Sequence, residues 1–156
     1  MSISRRVQQY LDQNGVAYEH LEHAPVYTAQ EVAQAVHTPG KEVAKAVIVR
    51  DDEGFAMAVL PATRKIDLDA LREAVGRRRL RLATEDEFKD LFPNCETGAM
   101  APFGNLYDMA VFLDQSLRED ESITFNAGTH ADAIRMSREA YERLVDPAVA
   151  PFSHPV

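Results

Sequence analysis

The sequence predicts an α+β fold, a twisted, mixed and mostly antiparallel sheet with helices packed around it. Three observations lead there. Two apolar, β-rich runs, Val43 to Arg50 and Phe55 to Leu60, are separated only by Asp51-Asp52-Glu53-Gly54, the polar, glycine-ended linker expected of a hairpin. Segments with helical spacing and capping signals alternate with short strand-like runs along the rest of the chain. Finally, 156 residues with 46% hydrophobic and 27% charged side chains suit one globular domain, 1–156, that can bury a core without disulfides or metals.

Each element has a local reason. Ile3, Val7, Tyr10 and Leu11 share one face of a first helix, which Asn14-Gly15 closes. Val16 to Leu21 reads as a short strand broken by Ala24-Pro25. Thr28 and Glu31 form a capping box, so a second helix runs to about Val36 and gives way to the loop His37-Thr38-Pro39-Gly40. After the central hairpin, Asp67 caps a helix carrying Leu68, Leu71 and Val75, with Gly76 as its stop. Leu80 and Leu82 alternate with arginines in a brief strand, and Thr84 with Glu87 repeats the capping box before Phe88, Leu91 and Pro93. Asn94 to Asn105 is too rich in Gly, Pro and small residues to be a helix. Met109 to Leu113, Ile123 to Phe125 and Ala133 to Met136 read as strands, and Ser137 caps a last helix with Ala140, Tyr141, Leu144 and Val145 inward. With Pro147, Pro151 and Pro155, residues 147–156 read as a loose tail.

The bulk numbers narrow the function. Seventeen basic against twenty-five acidic residues give a net charge of −8, which excludes a protein that coats nucleic acid through counterion release alone. Any nucleic-acid partner must be gripped locally. The one basic concentration is Arg77, Arg78, Arg79 and Arg81, with Arg64 and Lys65 upstream, and by itself it reads as a solvated surface. A single cysteine, Cys95, excludes a disulfide framework and agrees with a reducing, cytoplasmic setting. The longest apolar stretches are far too short to span a bilayer, so no membrane partner is expected.

Metal and covalent chemistry find little support. The five histidines, His20, His23, His37, His130 and His154, form no H-E-x-x-H helix and no Cys/His cluster of zinc spacing. Cys95 lies in Pro-Asn-Cys-Glu without a catalytic signature, and no G-x-S-x-G elbow, Walker loop or dinucleotide fingerprint occurs. Three segments remain. In Val43-Ala44-Lys45-Ala46-Val47 a lysine interrupts the entry to an apolar strand, a position where it more often snorkels to solvent. Gly98-Ala99-Met100-Ala101-Pro102-Phe103-Gly104 is a turn of small residues that suits either a connector or close backbone approach to a ligand. Phe125-Asn126-Ala127-Gly128-Thr129-His130 runs from strand into a glycine turn and alone reads as a turn with a surface histidine.

Together these segments resemble the YbaK-type aminoacyl-tRNA deacylases, which include the editing domain inserted in bacterial prolyl-tRNA synthetases and its free-standing relatives. The likeness extends from Tyr27-Thr28-Ala29-Gln30-Glu31 through Met136. Lys45 matches the family's pocket lysine, Gly98 to Pro102 its G-x-x-x-P turn, and Gly128 its late glycine turn. The resemblance implies a sheet partly closed like a barrel and a trans-editing hydrolase without cofactor or metal. Its partners would be the acceptor end of a mischarged transfer RNA and a synthetase, with no role for DNA. It implies a site in which Lys45 and the turn Gly98, Ala99, Met100, Ala101 and Pro102 carry the chemistry beside Gly128. His130 is not carried over by the resemblance and joins the catalytic candidates on its own chemistry, with Tyr27, Thr28, Phe103, Asn126 and Thr129 as expected substrate contacts.

The chemistry asked of such a site is modest. The aminoacyl bond is an ester, so a held water and donors aimed at the developing oxyanion suffice, and amides near Gly98 to Ala101 suit that task. Lys45, with an ordinary lysine pKa near 10.4, is a poor base and fits an orienting role on the terminal nucleotide or the carbonyl. His130 can either accept a proton or wall the pocket. A synthetase that activates proline rejects smaller alanine poorly, because one small apolar group changes binding by about 1–3 kcal/mol. Alanine is therefore the first amino acid expected, with serine, threonine and cysteine open. The rival expectation is an inactive relative that binds aminoacylated RNA or a synthetase.

Overall fold

The computed structural model describes residues 4–93 and 95–156. Ile3 and Asn94, placed by sequence on the first helix and in the small-residue loop, lie outside them. In chain order the elements are α1 (Arg5–Gln13), β1 (Tyr18–Glu22), α2 (Ala29–Ala35), β2 (Ala44–Asp51), β3 (Gly54–Pro61), β4 (Arg64–Ile66), α3 (Leu68–Val75), β5 (Arg81–Leu82) and α4 (Glu85–Phe88). They continue with β6 (Ala110–Asp114), β7 (Ser122–Asn126), β8 (Asp132–Ser137), α5 (Arg138–Val145), β9 (Ala148–Ala150) and β10 (Ser153–Pro155). Short 3-10 turns cover Gly40–Glu42, Lys89–Leu91, Gly104–Tyr107 and Gln115–Glu119.

Local chemistry sets the helix ends. Both capping boxes form: Thr28 and Thr84 accept from the amides of Glu31 and Glu87, whose carboxylates return to the cap amides. Asp67 and Ser137 cap α3 and α5 through the amides of Ala70 and Ala140.

A five-stranded sheet in the order β5-β2-β3-β6-β9 forms the centre. The β2–β3 hairpin is antiparallel, with Lys45 opposite Leu60, while β6 joins β3 and β9 joins β6 in parallel. A second, antiparallel sheet, β1-β8-β7, meets the first through a parallel bridge between Val43 and Thr124. The sheet is therefore mixed, as the sequence predicts, and is not closed as a barrel. One side of the central sheet packs Ala44, Ile48, Met57 and Val59 against Phe103, Phe125, Ile134 and Tyr141. The other packs Val49, Ala58 and Leu60 against Leu71, Leu80 and Phe152. Among the described residues no helix is long and apolar enough to cross a membrane.

The loose tail expected at 147–156 is corrected. Residues Ala148–Ala150 add to β6, Ser153–Pro155 pair with β4, and Phe152 is fully buried. The cause is Asp114, a buried carboxylate whose Oδ1 accepts from the Phe152 amide at 2.8 Å and whose Oδ2 accepts from the Ser153 hydroxyl at 2.8 Å. Burying this charge is tolerable because both oxygens are hydrogen-bonded, and the result is a latched C-terminus.

Candidate active site

Two turns are stitched into one unit. The Glu96 amide donates to Gly128 O at 2.7 Å, the Gly128 amide to Ala99 O at 2.9 Å, and the Ala99 amide to Glu96 O at 3.0 Å. Side chains add to this. The His130 amide donates to Glu96 Oε1 at 2.7 Å, and the His130 ring lies with Nε2 3.1 Å from Thr97 O. A carbonyl can only accept, so in the neutral imidazole Nε2 carries the proton and Nδ1 keeps the lone pair. Nδ1 is buried and has no hydrogen-bond partner. Beside it, Gly98 is exposed with φ +87°, and a Cβ there would sit 3.7 Å from His130 Cε1.

The segment that leads into α2 closes this corner. Tyr27, 71% exposed, lies over His130 with ring centroids 4.7 Å apart, and the Val26 amide donates to His130 O at 3.1 Å. One turn on, Gln30 Nε2 reaches Ala62 O at 3.4 Å, just past β3. That contact carries α2 from the His130 corner to the strand ends where Ala44 faces Pro61 and Lys45 faces Leu60.

Lys45 stands on β2 facing away from Ala44 and Ile48, on the side where Val43 packs against α2 and Val49 against α3. It is half-buried, and among the described residues no carboxylate lies within ion-pair distance of its ammonium. Burial lowers its pKa from the ordinary value, and the charge of Lys65 lowers it further. A cation held this way in a chain of charge −8 is available to an anion brought from outside. No hydrogen bond joins Lys45 to the His130 corner among the described residues; the two halves are connected by α2, through Gln30, and by β7, through the Val43–Thr124 bridge.

Several residues expected to touch substrate are placed elsewhere. Phe103 is fully buried, edge-on to Phe125 and Tyr141 with centroids 5.5 and 5.4 Å apart. Thr129 is buried with its hydroxyl 2.5 Å from Asp132 Oδ2, and Asp132 Oδ1 takes His20 Nε2 at 2.6 Å, so this pair shapes the turn from behind. Gly128, at φ +100°, is needed because a Cβ would come within 2.8 Å of Ser4 Cβ, which makes it a seat for the N-terminal segment. Ala99, Met100, Ala101 and Pro102 are buried, the Ala99 amide is committed to Glu96, and Pro102 O accepts from the Tyr141 hydroxyl at 2.5 Å. Thr28 spends its oxygen on the helix cap. Asn126 is half-buried, and its buried Oδ1 has no hydrogen-bond partner. Glu96 and Asp132 were not singled out from sequence; nothing in the spacing connects residue 96 with 130.

The remaining clusters explain themselves locally. His20, Glu22 and Asp132 bring three ligand atoms within 4.8 Å of one another. However, His20 Nε2 and Asp132 Oδ1 are 2.6 Å apart, a hydrogen bond, whereas two ligands of one zinc ion stand about 3.3 Å apart. The basic cluster is largely neutralised: Arg77 grips Asp51 with Nε–Oδ2 2.8 Å and Nη2–Oδ1 2.5 Å, Arg79 meets Asp52, and Arg81 meets Glu87. Arg77 holds the buried Asp51 carboxyl down to about 2. That pair therefore adds stability above the ordinary value of 3.8, and this stability is lost as the pH falls through about 2. Arg77→Ala is expected to cost about 3 kcal/mol by stranding a buried charge. Arg78→Ala with Arg79→Ala is expected to leave the melt unchanged. Thermal melts of both variants check this, and an unchanged Arg77→Ala melt would contradict the structural role.

Against known proteins, the aminoacyl-tRNA editing domain family matches residues 23–144. The prolyl-tRNA editing protein ProX of Acetoanaerobium sticklandii is 27% identical over 151 residues, covering 93% of this chain and 92% of that protein. A segment amounting to 14% of the proline–tRNA ligase of Thermosipho africanus is 27% identical to 51% of this chain. Among solved structures, a candidate trans-editing enzyme for prolyl tRNA synthetase superposes with TM-score 0.83 at 25% identity, covering 97% of this chain and 96% of that one. The stitched turns, His130 and Lys45 thus lie within a chain that belongs to the aminoacyl-tRNA editing domain family.

Proposed function

We propose that the chain is a free-standing hydrolase that removes a wrongly attached small amino acid from transfer RNA, alanine first, by attack of a positioned water on the ester. The family match and the ProX relative, similar over nearly its whole length, support an editing role acting in trans. The observation that carries the chemistry is the unused lone pair of His130 Nδ1, buried beside exposed Gly98. An unsatisfied buried acceptor costs stability, on the order of 1–3 kcal/mol, and a hydroxyl or water brought by the substrate relieves it. In this reading Nδ1 takes the proton as water adds to the carbonyl, and the leaving ribose oxygen regains one. Lys45 holds the terminal nucleotide, and Tyr27 offers its face to the terminal base. The experiment is a panel of transfer RNAs carrying alanine, serine, threonine or cysteine. Release of one amino acid supports the reading; binding without release of any would make the protein a carrier.

The thiol has no place in this mechanism. Burial raises the Cys95 pKa, and its Sγ lies 3.9 Å from the Tyr107 hydroxyl, so it stays protonated near neutrality. Cys95→Ala and EDTA treatment are both expected to leave turnover within about twofold of the parent, as a noncovalent, metal-free hydrolysis requires. A folded but inactive Cys95→Ala protein, or activity lost to EDTA and restored by zinc, would contradict that mechanism.

A further inference from the structure

The Glu96 side chain is exposed, yet its Oε1 lies 2.7 Å from the His130 amide, across 34 residues of sequence. Its main chain is engaged on both sides as well, donating to Gly128 O at 2.7 Å and accepting from Ala99 at 3.0 Å. The next residue supplies the carbonyl that meets His130 Nε2 at 3.1 Å. Glu96 and Thr97 therefore hold the histidine at two points, main chain and ring. A histidine on a free glycine turn would rotate about χ1 and χ2 and interchange its tautomers. Here the grip on the amide keeps the ring within reach of the Thr97 carbonyl, and that carbonyl keeps the proton on Nε2.

We propose that Glu96 is a positioning residue for deacylation: its carboxylate fixes the His130 turn so that Thr97 O selects the Nε2–H tautomer and Nδ1 is presented as the proton acceptor. This rests on His130 being that acceptor. Glu96 touches neither water nor ester and acts through geometry. Its charge is not required, because a glutamine carbonyl oxygen can accept from the same amide.

The test uses the full chain and the mischarged transfer RNA that it hydrolyses fastest. Glu96→Ala is expected to lower kcat by about 10- to 100-fold, in line with catalytic misplacement of up to about 1 Å, with KM within about twofold. Glu96→Gln is expected to return kcat to within about threefold of the parent. Nitrogen-15 spectra of the imidazole are expected to show the Nε2–H form in the parent and in Glu96→Gln, and a tautomer mixture in Glu96→Ala. A Glu96→Ala protein with parental kcat and an unchanged tautomer would overturn the proposal, as would a Glu96→Gln protein as slow as Glu96→Ala. His130→Ala separates the two levels: if it retains parental kcat, the acceptor role itself fails, whatever Glu96 does.

Discussion

Gly98→Val is expected to abolish measurable turnover while the protein remains folded. The cause is the backbone. At φ +87° Gly98 occupies a region where a β-branched residue is an outlier, with a penalty of order 1–3 kcal/mol. The surrounding space is not the obstacle, since a Cβ would meet only His130 Cε1 at an ordinary 3.7 Å. The chain instead relieves the strain by rotating residues 97–99, which carry the Thr97 carbonyl on His130 Nε2 and the Ala99 carbonyl on Gly128 N. A shift of about 1 Å in such groups can cost roughly a hundredfold in rate. Pro102→Ala is expected to be far milder, because alanine can reach proline's φ and the Pro102 carbonyl stays anchored by Tyr141. Single-turnover hydrolysis beside thermal melts decides this. A folded Gly98→Val protein at parental rate would make the turn a mere connector.

Lys45→Ala and Lys45→Met are expected to lose most deacylation without losing stability. The half-buried ammonium has a lowered pKa, so between that value and 10.5 the unfolded chain binds the proton better and stability rises with pH. Below both values the charged lysine costs the folded state some stability throughout. Removing it should therefore leave the melting temperature equal or higher, while the anion contact and turnover are lost. This opposite movement of stability and activity marks a residue kept for function. Equal turnover in parent and variants would remove Lys45 from the site, and a marked drop in melting temperature would show that the ammonium serves the core.

Much of the fold was legible because its signals are local. The capping boxes at Thr28 and Thr84, the Asp51–Gly54 hairpin linker and the cap at Ser137 each act within a few residues. The strands missed, β4, β9 and β10, span three residues each, too short for a period, and depend on distant partners: Ser153 pairs with Ile66 and Phe152 with Asp114. The site divides in the same way. Glycine turns at 98 and 128 are visible as glycines, but sequence does not say which way a turn faces. Gly128 serves Ser4, and Thr129 serves Asp132, while the exposed Gly98 alone opens beside His130. Glu96 stayed hidden because its partner is 34 residues away.

The central claim is that this chain cleaves the aminoacyl ester itself. The direct measurement is single-turnover incubation of transfer RNA for proline, charged with labelled alanine and labelled at its 3′ end, with parent and His130→Ala proteins. The account predicts free alanine and an intact transfer RNA that can be charged again, formed by the parent and slowed at least tenfold by His130→Ala. Alanine that stays esterified with the parent protein, although the RNA is bound, would contradict it.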